Sequence, residues 1–145
     1  MDRRIGMEIR ELHQMIKQKV EVERTADPVA MTHSQVRVLM YIHGQMNPVY
    51  QKDLECFLQI RRSTATEILN VLEREEYIER VRAQHDARLK EIHLTQKTLG
   101  VIDTIALRLS NLELLLRHDI QEEELDIFLK VLNKMKSNLK EEKEC

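Results

Sequence analysis

Two short stretches carry side chains suited to close contact with a phosphate-bearing surface. In Arg61-Arg62-Ser63-Thr64-Ala65-Thr66, two guanidinium groups stand beside three small hydroxyls. A hydroxyl both donates and accepts hydrogen bonds, and arginine is always charged, so the set suits base edges and phosphates alike. Some twenty residues later comes VRAQHDARLKEIHLT, Val81 to Thr95. Two segments of β type, Ile78 to Arg82 and Leu89 to Thr95, enclose a loop centred on Asp86-Ala87-Arg88. Arg80, Arg82, Arg88 and Lys90 make this hairpin locally positive, opposed by Glu79, Asp86 and Glu91. His85 in the loop can add a pH-dependent phosphate contact.

The rest of the chain reads as helix. Ile5, Ile9, Leu12, Ile16 and Val20 recur at spacings of four and three and mark one face of a long first helix. It should end near Arg24, because Asp27-Pro28 follows and the residue before proline disfavours α geometry. Thr32-His33-Ser34-Gln35 is a capping box opening a second helix, with Val36, Leu39, Met40 and Ile42 as its inner stripe. Gly44 and Asn47-Pro48 close it. A short third helix fits Gln51 to Leu58, with Leu54, Phe57 and Leu58 facing inward. A fourth, starting near Arg62, turns Ala65, Ile68, Leu69 and Leu72 to the core and keeps Arg62, Ser63, Thr64, Thr66 and Asn70 off that stripe. After the hairpin, Leu99, Ile102, Ile105, Ala106, Leu109, Leu112 and Leu116 give a long helix to about Arg117. In a last helix, Leu125, Phe128, Leu132, Met135 and Leu139 alternate by three and four, the a/d seam of a coiled coil.

Helix, short helix, helix and two-stranded hairpin is the order of a winged helix-turn-helix. In that motif the second helix of the turn enters the DNA major groove, about 12 Å wide. Its N-terminus adds free N–H groups and a dipole that favour phosphate. The expected fold is therefore mainly α: a winged helix-turn-helix with a two-stranded β-wing and long N- and C-terminal helices. The first helix and the last two carry more apolar face than a small central domain needs; an interface between subunits would absorb it, and an intrachain helical core is the alternative.

The chain closely resembles the MarR family of bacterial multiple-antibiotic-resistance type regulators. The resemblance rests on Thr32, Gln35 and Leu39, then Gln51-Lys52-Asp53-Leu54, Arg62-Ser63-Thr64-Ala65-Thr66, Asp86-Ala87-Arg88 and Ile92-His93-Leu94-Thr95. It implies a homodimeric regulator of transcription, usually a repressor, that binds a pseudo-palindromic operator in double-stranded DNA and can be released by a small-molecule effector. It divides the chain into an N-terminal dimerisation helix and linker over 1–30, a DNA-binding region over 31–95 and C-terminal dimerisation helices over 96–145, together one structural domain. The DNA-binding residues expected are Gln51, Lys52, Arg61, Arg62, Ser63, Thr64, Thr66, Asn70, Arg82, His85, Asp86, Arg88 and Lys90. By the same resemblance Arg88 is the wing-tip residue for the minor groove, and Asp86 holds a neighbouring arginine. Three departures stand out. Glu76 takes the place of a usual glycine, so the fourth helix should end differently. Tyr50 replaces a capping Ser or Thr. Glu55 replaces a small residue and, with Glu67, Glu73, Glu75 and Glu76, makes the surroundings acidic.

Composition narrows the alternatives. The 145 residues hold 42% hydrophobic and 33% charged side chains, three glycines and two prolines, which suits one helix-rich domain. With 3% aromatics and no tryptophan, the core must be mostly Leu, Ile, Val and Met. A formal net charge of −2 provides no general attraction to nucleic acid, so any such binding needs a local patch. No signal-like or membrane-spanning apolar run occurs, and a cytoplasmic location without membrane contact is expected. Cys56 and Cys145 match no metal spacing and read as reduced thiols. A redox-sensing role for Cys56 is an alternative, as is a winged-helix module for protein contacts. No two of the six histidines stand at the i, i+4 spacing of a helical metal site. Without a Gly-rich phosphate loop, nucleophile elbow or paired carboxylates, neither an enzyme nor a cofactor is expected.

Overall fold

The computed structural model describes residues 4–25 and 31–140. Six helices and one hairpin follow in the order α1 (Ile5–Thr25), α2 (His33–Gly44), α3 (Gln51–Leu58), α4 (Arg62–Arg74), β1 (Ile78–Arg82), β2 (Lys90–Leu94), α5 (Gln96–Arg117) and α6 (Glu122–Leu139). This is the mainly α winged helix-turn-helix expected from the sequence. Asp27-Pro28, expected to follow the end of the first helix, lies outside the described residues. The backbone separates into two compact units, one to Thr95 and one from Gln96.

In the first unit, α4 packs on α2, α3 and β1, while β2 reaches α2 and α3. Val38, Leu39, Leu54, Leu69, Leu72 and Ile78 are the large apolar side chains buried almost completely. Each such burial is worth about 1.5–3 kcal/mol before chain entropy is set against it. The Thr32 capping box forms as expected: Thr32 N–H donates to Gln35 Oε1 at 2.9 Å, and Gln35 N–H to Thr32 Oγ1 at 3.2 Å. Tyr50 brings no hydroxyl to the start of α3, but Asp53 compensates by accepting from Tyr50 N–H at 2.8 Å. Phe57 departs from the expected inward position. It is 41% exposed, stacked on Tyr41 with ring centroids 4.4 Å apart and with the Arg37 guanidinium over its face.

The hairpin pairs Ile78 with Leu94 and Arg82 with Lys90 in antiparallel register. Val49 adds an isolated bridge, accepting from Ile92 N–H at 2.8 Å, which ties the wing stem to the segment before α3. The expectation for Glu76 is overturned. α4 does end in a left-handed residue, with Glu76 at φ 62° in the place of glycine. Tyr77 N–H donates to Leu72 O at 2.8 Å across this turn, and Thr95 Oγ1 donates to Glu76 O at 2.6 Å. These bonds hold a conformation that costs an L-residue roughly 1–2 kcal/mol. Glu76→Gly should accordingly raise the unfolding free energy by about 1 kcal/mol in a urea titration. A loss of stability would show that Glu76 has contacts offsetting its strain.

In the second unit, Thr98, Ile102 and Ile105 are the buried residues of α5, and Leu99, expected inside, is 43% exposed. None of α6 is buried. Gln121 N–H is capped by Glu124 Oε2 at 2.9 Å, and Arg117 pairs with Glu122 at 3.0 Å across the turn between the two helices.

Candidate nucleic-acid interface

The first turn of α4 exposes Arg61, Arg62, Ser63 and Thr64, while Ala65, Leu69 and Leu72 hold the opposite face in the core. Asn70 lies two turns on, also exposed. Thr66 is half-buried and committed: its hydroxyl donates to Arg62 O at 2.8 Å and accepts from Gln51 Nε2 at 2.9 Å. Gln51 also donates to Arg62 O at 3.3 Å. These two expected site residues therefore join α3 to the opening turn of α4 and hold its neighbours at a fixed angle. Lys52 points outward from α3.

The wing turn is built by Asp86. Its Oδ1 accepts from Arg88 N–H at 2.9 Å, an Asx turn, and Leu89 N–H closes the turn on Asp86 O at 3.0 Å. Ala83 N–H to Leu89 O, at 2.9 Å, shuts the loop. The Arg88 side chain doubles back to Asp86 through Nε and Nη2, each at 3.2 Å, yet remains 90% exposed. Hydrogen bonds from Arg88 hold the Asp86 carboxyl below its usual range. Because its folded pKa is depressed, the ionised turn is intact above the ordinary carboxylate range and is lost only as pH falls through the folded value. His85 sets its ring edge-on to Tyr50, with centroids 6.4 Å apart. Arg82 and Lys90 face each other in the last strand pair, both exposed.

Between the start of α3, the start of α4 and the wing lies an open cavity of about 510 Å³. Lys52, Arg62, Arg80, Arg88 and Lys90 line it together with one carboxylate, Glu55. On a chain of net charge −2, this concentrates cations at one place. The expected residues Gln51, Lys52, Arg62, Arg88 and Lys90 are thus brought to one cavity. Ser63, Thr64 and Asn70 stand on the exposed face of α4, and Arg61, Arg82, His85 and Asp86 are outside the cavity lining.

Arg80 was not among the residues expected to act here. Its Nε donates to Glu73 Oε2 and its Nη2 to Glu73 Oε1, both at 3.0 Å, and Nη2 also reaches Asn70 Oδ1 at 2.7 Å. Arginine has no acceptor, so the Asn70 atom facing it must be the oxygen, leaving the amide N–H groups turned away. The hydrogen bond from Arg80 holds Glu73 below the usual carboxylate range, and Glu73 in turn raises Arg80. One of the acids expected to oppose an anionic partner is therefore neutralised on the spot. The only sequence hint was the arginine-rich strand, since a strand-to-helix pair leaves no periodic trace.

Cys56 is half-buried on α3. Cys145 lies outside the described residues. Among the described residues no three His, Cys, Asp or Glu side chains converge as a metal site, and no helix is long and apolar enough to cross a membrane.

A winged helix-turn-helix with a cationic cavity between its wing and the helix after the turn is the class these observations define. Residues 31–89 match the model of the MarR family, and the fold is similar to that of MarR-type winged-helix structures. Among solved structures it is similar to Staphylococcus aureus MepR in a DNA complex, with 26% identity, TM-score 0.86, and coverage of 93% of this chain and 98% of that one. It is also similar to Streptococcus pneumoniae FabT in complex with DNA, at 24% identity, TM-score 0.79 and coverage of 94% and 95%. A MarR protein from Peptoclostridium difficile superposes with TM-score 0.84 at 19% identity, covering 96% and 89%. No curated protein matches the sequence.

Proposed function

We propose that the chain is a sequence-specific, double-stranded DNA-binding regulator of transcription that acts as a homodimer. The observation carrying this reading is the cationic cavity flanked by the hydroxyl-bearing turn of α4 and by the wing arginine. Ser63, Thr64 and Asn70 enter the major groove, Arg61, Arg62 and Lys52 meet phosphates, and Arg88 reaches the minor groove with Arg82, His85 and Lys90 beside it. Gln51, Thr66 and Asp86 shape the surface more than they touch DNA, because their polar atoms are already bonded within the protein. MepR and FabT, which share the fold, were both solved with DNA.

Dimerisation through the terminal helices is supported by what they leave uncovered. Ile5, Met7, Ile9, Leu12 and Met15 are exposed on α1, and Ile127, Phe128, Leu129, Val131 and Leu139 on α6. Such large apolar faces are characteristic of interfaces. Repressor action and release by a small-molecule effector follow from the family resemblance.

Fluorescence anisotropy with DNA from upstream of its own gene tests the reading. Arg88→Ala should weaken binding by about tenfold or more and leave the fold intact, since the side chain is almost fully exposed. Unchanged affinity would remove Arg88 from the interface, and no binding by the unaltered protein would remove the DNA reading.

A further inference from the structure

We propose that Arg80 is a positioning residue that locks the wing to the recognition helix, so that α4 and Arg88 engage DNA as one rigid unit. The inference rests on the DNA-binding reading above and goes beyond it in naming what couples the two contact elements.

The wing has little rigidity of its own. It is a two-stranded hairpin, an arrangement marginally stable in isolation, and only Glu75, Glu76 and Tyr77 separate β1 from α4. Apolar packing of Ile78 and Ile92 seats the stem but sets no angle by itself. The Arg80 fork is directional. Its planar guanidinium meets the Glu73 carboxylate side-on through two bonds of 3.0 Å, and a third bond of 2.7 Å reaches Asn70 one helical turn earlier. Three bonds to two points on α4 fix both the rotation and the tilt of β1 against the helix. Arg80 stands opposite Ile92, the buried centre of β2, so the constraint passes directly into the second strand. The Arg80 side chain is 21% exposed, against 90% for Arg88, and its Nε and Nη2 are bonded within the protein.

A direct DNA contact by Arg80 makes the opposite prediction for its partner. Removing the Glu73 carboxylate deletes a negative charge beside DNA and frees Arg80, which by electrostatics alone tightens binding. If Arg80 positions the wing, the same change weakens binding. Alanine is the best helix former, and Glu73 is 41% exposed, so Glu73→Ala does not threaten the fold of α4.

The experiment measures anisotropy on the upstream duplex for Glu73→Ala and Arg80→Lys, each with and without Arg88→Ala, alongside thermal melts. Lysine retains the charge of Arg80 but cannot form the fork. Each single change should weaken binding by about tenfold, and adding Arg88→Ala to either should cost less than about threefold more, because a loosened wing no longer presents Arg88. A fold defect alone would lower the melting temperature without coupling to Arg88. Tighter or unchanged binding by Glu73→Ala, or full additivity with Arg88→Ala, overturns the positioning role while leaving DNA binding in place. Absence of binding by the unaltered protein removes both.

Discussion

Raising monovalent salt from about 50 to 200 mM should weaken binding to the cognate duplex by about four orders of magnitude. The estimate follows from counterion release. If each subunit neutralises about four phosphates, a dimer covers about eight, and log K falls against log salt with a slope of about −7. The chain has no net positive charge to spread such an effect over its surface. The slope must therefore come from the patch where Lys52, Arg62, Arg88 and Lys90 gather at the cavity, with Arg61 and Arg82 nearby. Glu73 does not cancel it, since Arg80 already satisfies that carboxylate. Isotherms at four or five salt concentrations measure the slope. A value near zero would reject this patch as the binding surface, and a value near half would match one engaged subunit.

The second large effect lies in the core beneath the reading face. Leu69→Ala should lower the unfolding free energy by about 2–5 kcal/mol and the melting temperature by about 10 °C or more. Leu69 is 1% exposed and sits on the α4 face that packs against α2 and α3. Truncating it leaves a cavity directly behind Ser63, Thr66 and Asn70, whose placement depends on α4 lying flat on that core. A domain of this size has only about 5–15 kcal/mol of stability, so the loss is a large share of it. Denaturant melts of Leu69→Ala and of Ser63→Ala separate the two roles: the first should unfold early, the second should melt as the unaltered protein does. If Leu69→Ala melts normally, α4 is not anchored through this side chain.

Much of the arrangement was legible in the sequence because it is local or periodic. Ala65, Leu69 and Leu72 recur at the helical period, so the buried face of α4 and its hydroxyl-bearing face could be told apart. The Thr32–Gln35 box spans three residues and forms as read. Asp86 and Arg88 close their turn over two residues, within reach of pattern alone. The element order then carries the winged helix.

What stayed hidden is non-local or depends on small energy differences. Arg80 meets Asn70 and Glu73 across a change from helix to strand, where no single period applies. Val49 joins Ile92 through one bridge, too short to leave an alternating pattern. Glu76 adopts a left-handed backbone that its type disfavours, held by the bonds from Tyr77 N–H to Leu72 O and from Thr95 Oγ1 to Glu76 O. Phe57 satisfied the inward spacing of α3, yet Tyr41 and Arg37 provide it with a partner at the surface. Periodicity identifies a face; it does not say what that face will meet.

Hydroxyl-radical footprinting of the purified protein on its upstream DNA puts the central claim to its most direct test. Two protected patches related by a two-fold axis, on one side of the duplex and about 10 bp apart, are expected from paired α4 helices in successive major grooves. A single short, asymmetric patch, or uniform cleavage along the duplex, would contradict it.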